Sequence, residues 1–429
     1  MGYWRKYSMT RKMKDSGVEW IGEIPKDWKV TTISRLFNIK AGGDLKKEYY
    51  SKVKINEYIY PIYTNSTDTK QVYGYTKVPF FSSNTITVTG RGDIGFAVYR
   101  NCEYDAIIRL LVLSPINKKD CRYYAYFING VIRFNENSSA IGQLSTQQIA
   151  PYKICVPDLS EQKRISDYLD NKCNKIDQTI EKEQVVIEKL KEYKQSVITE
   201  AVTKGLNPDV KMKDSGVEWI GEIPEHWLCK KLKGITNQII DGTHSTPNYQ
   251  EDGIPFLRVT DITTDDGVNQ DINWDKTAYI NEREHNELIK RCNPQKGDLL
   301  VSKNGTIGVP KIVDWNREFS IFVSLCLIKV KEEISVEFLY YYFKSSLIWT
   351  EIAIGGKTGT ITNLHLDKIR EFKIPLPNKD EQQQIVNYLD KKCSAIDKLI
   401  SNKEKVIDKL TEYKKSLIYE CVTGKREVQ

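Results

Sequence analysis

The sequence has few of the residues that build metal centres, and those it has do not cluster. It holds nine cysteines without a C-x-x-C pair, and its four histidines, His226, His244, His285 and His365, are isolated in the chain. A zinc site needs clustered Cys and His ligands, so we predict no metal site. Scattered cysteines in a chain of this length indicate free thiols in a reducing compartment.

Long apolar runs are also missing. No segment approaches the roughly 20 apolar residues that a membrane span needs. The first residues contain no signal-peptide core, so we expect a cytoplasmic protein whose natural start is either Met1 or Met9. A hydrophobic content of 40% and an aromatic content of 10% over 429 residues are typical of a folded chain with two or three domains.

Two stretches of the sequence resemble nucleotide-binding motifs, but neither has the surroundings that such a motif needs. GRGDIG, at residues 90–95, has dinucleotide-site spacing, but the sequence that follows it is typical of a strand instead of a phosphate-binding helix. GGKT, at residues 355–358, lacks the leading glycine of a phosphate loop because Glu351 stands there. The methyltransferase tetrapeptides N-P-P-Y and D-P-P-Y are absent. We therefore predict no catalytic residue, although missing motifs do not exclude an enzyme.

What the sequence does contain is a duplication. KMKDSGVEWIGEIPKDW at residues 12–28 returns as KMKDSGVEWIGEIPEHW at residues 211–227. The two copies differ only where Lys26 and Asp27 are replaced by Glu225 and His226. A second pair of matching segments begins at Pro157 and Pro377, so each half of the chain has a short shared element, a long variable segment and a long shared segment.

The long shared segments show a heptad pattern and predict helices over residues 161–202 and 381–422. Asp158 with Glu161, and Asn378 with Glu381, predict N-terminal caps, and Gly205 predicts the end of the first helix. A single heptad helix would expose its apolar seam, so we expect the two helices to pack on each other. The predicted seam consists of Leu169, Cys173, Ile176, Ile180, Ile187, Leu190, Val197, Leu389, Cys393, Ile396, Ile400, Ile407, Leu410 and Leu417.

The variable segments predict two mixed domains of similar fold. TITVTGRGDIGFAVY and DLLVSKNGTIGVPKIV both have a strand, a glycine turn and a strand, and each segment later carries a short amphipathic helix pattern. Their charges differ: residues 29–157 hold 17 Lys and Arg against 9 Asp and Glu, whereas residues 228–377 hold 19 against 20. The whole chain carries a formal charge of +7, which favours nucleic acid only weakly.

Together these patterns predict an α+β fold in which two similar mixed α/β domains are separated by two long antiparallel coiled-coil helices in a circular, pseudo-two-fold repeat. The predicted segments are a shared element at 1–28, the first domain at 29–157, the first helix at 158–204, a linker and second shared element at 205–227, the second domain at 228–377, the second helix at 378–423 and a tail at 424–429.

The motifs DSGVEWIGEIP, DGTHSTP (residues 241–247), the glycine turn before a strand and IPLPxxxEQxxIxxYLD resemble the specificity subunit of type I restriction–modification systems. The resemblance covers nearly the whole chain. It implies that each domain reads half of a bipartite asymmetric site in double-stranded DNA and that the coiled coil sets the spacing. It also implies that shared regions bind two modification (methyltransferase) subunits, joined by two restriction subunits. The chain itself would be non-catalytic and bind no cofactor, with AdoMet, ATP and Mg on the partner subunits.

Base reading requires polar side chains that reach the groove edges. On turn-rich stretches of the two domains the candidates for DNA binding are Lys46, Lys47, Asn65, Thr76, Lys77, Arg91, Gln143, Ser145, Thr243, His244, Ser245, Arg258, Lys303, Asn304, Lys357, Thr358 and Thr360. Two alternatives stay open: a coiled-coil adaptor that joins protein partners without reading DNA, and a specificity chain of a related single-complex restriction enzyme.

Overall fold

A computed structural model describes residues 11–134, 142–263, 271–354 and 363–428. The chain forms two compact units. Unit 1 combines residues up to Glu183 with those from Glu404 onward, and unit 2 runs from Gln184 to Lys403. This division falls inside the two long helices, so each unit contains one part of both.

Unit 1 begins with a domain of short strands and helices. Its strands β1–β12 are Met13–Asp15, Glu23–Pro25, Lys29–Thr32, Phe37–Ala41, Tyr50–Ser51, Tyr60–Tyr63, Gly74–Thr76, Thr85–Val88, Ala97–Arg100, Asp105–Ala106, Leu111–Pro115 and Lys153–Val156. Its helices are α1 (Ile33–Leu36), α2 (Cys121–Val131), α3 (Thr146–Ile149) and the long α4 (Leu159–Lys204), with a 3-10 turn at Lys47–Tyr49.

Unit 2 repeats this order. Its strands β13–β24 are Met212–Asp214, Glu222–Pro224, Leu228–Lys231, Thr236–Asp241, Tyr249–Gln250, Ile254–Leu257, Ala278–Ile280, Leu299–Ser302, Pro310–Ile312, Ser320–Ile321, Leu325–Val330 and Lys373–Leu376. Its helices are α5 (Val259–Ile262), α6 (Glu282–Leu288), α7 (Val336–Lys344), α8 (Leu347–Ile354), α9 (Leu366–Glu371) and the long α10 (Lys379–Val422), with 3-10 turns at Leu232–Gly234 and Trp274–Lys276.

The sheets of unit 1 and unit 2 have the same strand order. An antiparallel four-stranded sheet has the order β4-β11-β8-β9 in unit 1 and β16-β23-β20-β21 in unit 2. A second sheet has the order β10-β6-β7-β5 in one and β22-β18-β19-β17 in the other, and its β10–β6 and β18–β22 pairs are parallel. The strand, glycine turn and strand that the sequence predicts are therefore present twice, as β8–β9 and β20–β21.

Each domain starts and ends on one small sheet. β3 pairs with β12 from Lys29 opposite Val156, and β15 pairs with β24 from Leu228 opposite Leu376. The first and last strands of each variable segment are thus direct hydrogen-bonded neighbours. A segment closed in this way is a structural unit whose interior can vary while its ends stay fixed.

The two long helices begin and end as their capping residues predict. Asp158 Oδ1 accepts from the Glu161 amide at 2.8 Å, and Asn378 Oδ1 accepts from the Glu381 amide at 2.9 Å. Gly205 (φ 73°) follows α4, and its counterpart Gly424 (φ 71°) lies just beyond α10, both in the left-handed conformation of a helix C-terminus.

The helices pack on each other in both units and in antiparallel order. In unit 1 the start of α4 shares a core with the end of α10, which includes Cys173 and Cys421, and Asp177 accepts from Lys414 at 2.6 Å. In unit 2 the end of α4 shares a core with the start of α10, and Asp397 accepts from Lys194 at 2.6 Å. The two ion pairs occupy equivalent places in the repeat.

The predicted fold class is confirmed. Every predicted seam residue is buried or partly buried, with Leu169 and Leu389 wholly inaccessible and Ile180, Leu190, Ile400, Ile407 and Leu410 partly covered. The predicted domain boundaries remain an interpretation, because the compact units cut across the helices that those boundaries keep whole.

The duplicated 17-residue element forms a joint at the helix ends. In unit 1, Trp28 is buried and its Nε1 donates to Glu161 Oε2 at 2.8 Å, while Arg11 links Glu161 to Asp27. In unit 2, His226 Nε2 lies 2.9 Å from Glu381 Oε2. The second of the two substituted positions in the repeat, Asp27 against His226, therefore alters how the element holds the first turn of its helix.

Candidate nucleic-acid interface

In unit 1, separate loops converge on the side chain of Asn65. Its Oδ1 accepts from the backbone amides of Gly90, at 2.7 Å, and Arg91, at 3.3 Å. Its Nδ2 donates to the carbonyl of Ile108 at 2.6 Å. Asn65 therefore ties the β8–β9 turn to the loop before β11, and we call this meeting point the Asn65 junction (residues 42–43, 65, 90–91, 108–109 and 143–144).

The loop before β11 has an unusual backbone. Ile108 and Arg109 both have positive φ, at 55° and 62°, a conformation that costs free energy for any side chain and is an outlier for a β-branched one. Hydrogen bonds from their amides to the carbonyls of Gly43, at 3.0 Å, and Gly42, at 3.2 Å, hold them there. Both side chains are exposed as a result.

Gly42 is required at the junction because the backbone there leaves no space for a side chain. A Cβ at this position would lie 2.5 Å from the carbonyl oxygen of Ala106, whereas a Cβ on the adjacent Gly43 would meet no atom within 4 Å. Gly242 occupies the equivalent place in unit 2, and its Cβ would lie 2.0 Å from the carbonyl oxygen of Ile321. Both domains therefore need close backbone contact at this loop.

Arg91 and Gln143, both predicted from the sequence, meet at the junction. Gln143 Oε1 accepts from Nε of Arg91 at 3.3 Å and from Nη2 at 3.0 Å. The backbone beside them is fixed as well, because the Leu144 amide donates to the Gly90 carbonyl at 2.8 Å. Ser145 then caps α3, with its side chain accepting from the Gln148 amide.

The other predicted residues of the first domain are Lys46, Lys47, Thr76 and Lys77, and the contacts described for them are with residues outside the junction. Lys46 is exposed with its ammonium 3.5 Å from the ring centre of Phe80, and Lys47 is exposed in the neighbouring 3-10 turn. Lys77 pairs with Glu57 at 3.2 Å. Thr76 is buried, and its hydroxyl hydrogen bonds stay within its own turn. A direct contact of Thr76 with DNA stays a prediction.

Unit 2 brings the corresponding loops together with different side chains. Thr243 forms a parallel bridge with Phe322, and its carbonyl accepts from the Val323 amide at 2.9 Å. The carbonyl of Lys303 accepts from the Leu364 amide at 2.7 Å, as Gly90 does from Leu144 in unit 1. Lys303 and Asn304 thus stand where unit 1 has Gly90 and Arg91.

A buried carboxylate organises the cations of this second site. Asp241 Oδ2 accepts from Lys303 Nζ at 2.7 Å, Asp241 Oδ1 accepts from Arg291 Nη2 at 2.7 Å, and His244 Nε2 lies 3.2 Å from Oδ2. Burial would raise the pKa of Asp241, but the hydrogen bonds from Lys303 and Arg291 outweigh it and lower that pKa below its ordinary value. The carboxylate is therefore charged at neutral pH and holds the ammonium of Lys303 and the guanidinium of Arg291, with the His244 ring beside them.

The two cations that bind Asp241 differ in their exposure to solvent. The ammonium of Lys303 is buried against Asp241, so its predicted contact with DNA also stays a prediction. Arg291, which the sequence did not single out, is half exposed beside a cavity of about 420 Å³. That cavity is lined by Thr243, His244, Glu287, Leu288, Arg291, Cys292, Ser320 and Ile321.

Of the remaining predicted residues of the second domain, the structure describes Ser245, Arg258 and Asn304. Ser245 is exposed, and its amide donates to Thr243 Oγ1 at 3.2 Å. Arg258 is partly exposed and its backbone amide donates to Asp261 at 2.6 Å, while Asn304 forms an antiparallel bridge with Asn363. Lys357, Thr358 and Thr360 lie outside the described residues.

Within the described ranges no three His, Cys, Asp or Glu side chains group as metal ligands. The same ranges contain no helix with the length and apolar character of a membrane span. The fold and the loop sites thus define a class: a chain with two similar loop-bearing domains, each of which packs on its own part of two long antiparallel helices.

Comparison with known proteins identifies the family. The type I restriction modification DNA specificity domain matches residues 25–189 and 224–411. The chain therefore belongs to the family of type I restriction–modification specificity subunits.

Individual relatives agree with this assignment. The type I restriction enzyme MjaVIII specificity subunit of Methanocaldococcus jannaschii is 25% identical over 95% of this chain and 94% of its own length. The EcoBI specificity subunit of Escherichia coli is 26% identical over 69% of this chain and 64% of its own length.

Solved structures share the fold. A chain from a structure of the type I R-M system has a TM-score of 0.71 at 14% identity, covering 94% of this chain and 99% of that one. The HsdS subunit from Thermoanaerobacter tengcongensis has a TM-score of 0.51 at 13% identity, covering 94% of this chain and 98% of its own. At these identities the likeness concerns the fold alone.

Proposed function

We propose that this chain is the non-catalytic subunit that gives a type I restriction–modification complex its DNA sequence specificity, with each domain reading one half of a bipartite site. One observation carries this proposal: the same backbone junction occurs twice with different side chains. Unit 1 presents Arg91 and Gln143, whereas unit 2 presents Asn304 and the cations around Asp241. Different side chains on one scaffold are what reading two unlike half-sites requires.

The long helices have the property that a spacer needs. α4 spans 46 residues and α10 spans 44, which corresponds to about 65–70 Å of helix in each at about 1.5 Å per residue. The equivalent ion pairs Asp177–Lys414 and Asp397–Lys194 fix the register of the two helices in their respective units. We infer that the pair of helices α4 and α10 sets the number of base pairs between the half-sites.

The repeated surfaces suit two copies of one partner. Tyr193 and Tyr413 are exposed at equivalent places on the two helices, by 49% and 44%, and Val186 and Val406 are a second such pair. Exposed apolar groups repeated in this way provide two similar docking surfaces. We infer that they receive two modification subunits, which would carry AdoMet, and that two restriction subunits using ATP and Mg join that assembly.

The test that separates this function from a protein-joining adaptor is the salt dependence of DNA binding. With the modification subunit present, affinity for duplex DNA should fall steeply because bound Lys and Arg release counterions. A complex with six to ten phosphate contacts would lose about 10³–10⁵ in affinity between 50 and 200 mM salt. Gel-shift titration at several salt concentrations measures this slope.

The control is the modification subunit alone, titrated on the same duplex. A steep fall of DNA affinity with salt that is seen only when the specificity chain is present supports the proposal. Binding that is absent or insensitive to salt in the full complex would favour the adaptor.

A further inference from the structure

Arg91 is an exposed cation of the first domain whose backbone and side chain are both held by neighbouring groups. The amide of Arg91 and that of Gly90 are both held by Asn65 Oδ1, and the Gly90 carbonyl is held by Leu144. Gly92 continues the turn at φ 68° and its Cβ would meet no neighbour, so the turn tip is open to solvent. The arginine therefore projects from a backbone that is tied on both sides.

The guanidinium is held along one edge only. Nε and Nη2 both donate to Gln143 Oε1, and Nη1 has no hydrogen bond to the described residues. No described residue occupies the outer edge, formed by Nη1 and Nη2, so this edge can meet a ligand. Two parallel N–H donors on a fixed plane match the O6 and N7 acceptors that guanine displays in the major groove.

Arg109, in the same junction, provides a contrast. Its backbone is fixed by the hydrogen bond to the Gly42 carbonyl, but its exposed side chain makes no hydrogen bond or ion pair with the described residues. An arginine without a positioning partner can follow a phosphate but does not present a fixed fork to a base. The two arginines thus carry the same charge, but only the side chain of Arg91 is oriented by a described partner.

We propose that Arg91 reads a guanine in the first half-site through the major groove, and that Gln143 is the positioning residue that orients it. This inference rests on the proposed function, because it names one base contact of that same site. In unit 2 the equivalent positions hold Asn304 and Asn363, so the Arg91–Gln143 pair is not repeated there.

The experiment compares Arg91→Lys with Arg109→Lys in the full complex with its modification subunits. Lysine keeps the charge in both variants but removes the planar fork. Methylation is measured on duplexes in which each position of the first half-site is varied in turn. For Arg91→Lys we expect the preference for guanine at one position to fall about 5- to 150-fold while the other positions keep theirs. For Arg109→Lys we expect the same base preferences as in the unaltered chain.

The positioning role is tested with Gln143→Ala and Gln143→Glu. The alanine variant should weaken the preference at the same guanine, because the arginine loses its partner. The glutamate variant keeps an oxygen acceptor and should restore that preference even if overall binding changes. An unaltered preference in Gln143→Ala would overturn the positioning role.

Two results would overturn the reading role of Arg91. One is a first half-site without guanine, and the other is an Arg91→Lys variant that lowers methylation of all duplexes equally. Failure of the proposed function has a different outcome, since the unaltered complex would then show no bipartite site to vary.

Discussion

Replacing residues 29–157 with the corresponding segment of another family member should change one half of the methylated site and leave the other half intact. The expected effect is complete: methylation at the original half-site disappears and that of the donor takes its place. The modified bases in cells that carry the hybrid chain and its modification partner provide the measurement.

The structure gives the physical reason for these boundaries. β3 and β12 pair along Lys29–Thr32 and Lys153–Val156, so the exchanged segment begins and ends on adjacent strands. The donor must also keep the contacts that seat the domain on the helices, such as Tyr123 Oη donating to the Val422 carbonyl at 2.8 Å and Tyr126 Oη donating to Asp170 at 2.7 Å. A donor with these groups should fold on the existing helix pair.

The reciprocal exchange of residues 228–377 is the matched control. β15 and β24 close that segment in the same way, so it should alter the other half-site only. A change of both half-sites by either hybrid, or of neither, would contradict the modular reading of DNA.

Lengthening both helices by four residues should widen the gap between the half-sites. Insertions after Glu183 in α4 and after Lys403 in α10 add about 6 Å to each helix at about 1.5 Å per residue. Because B-DNA rises about 3.4 Å per base pair, the gap should grow by about one to two base pairs while both half-sites keep their sequences.

Inserting in both helices keeps the ion pairs Asp177–Lys414 and Asp397–Lys194 in register within their units. The same four residues inserted between Asn117 and Lys118, outside the helices, should leave the gap unchanged. An unchanged gap after the paired helix insertions would refute the spacer role.

The long-range organisation could be predicted from the sequence because repetition and periodicity determine it. The helices at 161–202 and 381–422 were predicted from heptads and caps, and they are found at Leu159–Lys204 and Lys379–Val422. Asp158 and Asn378 are capping residues because a short carboxylate or amide oxygen reaches the amides of the first turn. The glycine turns between β8 and β9 and between β20 and β21 were equally visible.

The loop sites could be predicted only in part. Arg91 and Gln143 were chosen separately for their residue types, but their hydrogen bond joins positions 52 residues apart. Asn65 was chosen as a DNA-binding residue, which stays a prediction, and its three hydrogen bonds add a bracing role at the junction that the sequence did not indicate. Arg291 was missed because its link to Asp241 depends on the packing of α6, which no local pattern encodes.

The burial of Thr76 and Lys303 could not be predicted from the sequence either. Thr76 and Lys303 belong to residue types that are usually exposed, and each sits beside a glycine or turn pattern. The structure covers both because a neighbouring group satisfies them: the Val78 backbone for Thr76 and the Asp241 carboxylate for Lys303. Such long-range compensation cannot be inferred from the residue type.

The most direct test of the central claim is to map modified bases across the genome of cells that carry this chain with its modification partner, against cells that carry the partner alone. The account predicts one bipartite, asymmetric motif with methylated adenine, present only when this chain is expressed. An unchanged methylation pattern, or a motif without two separated halves, would contradict it.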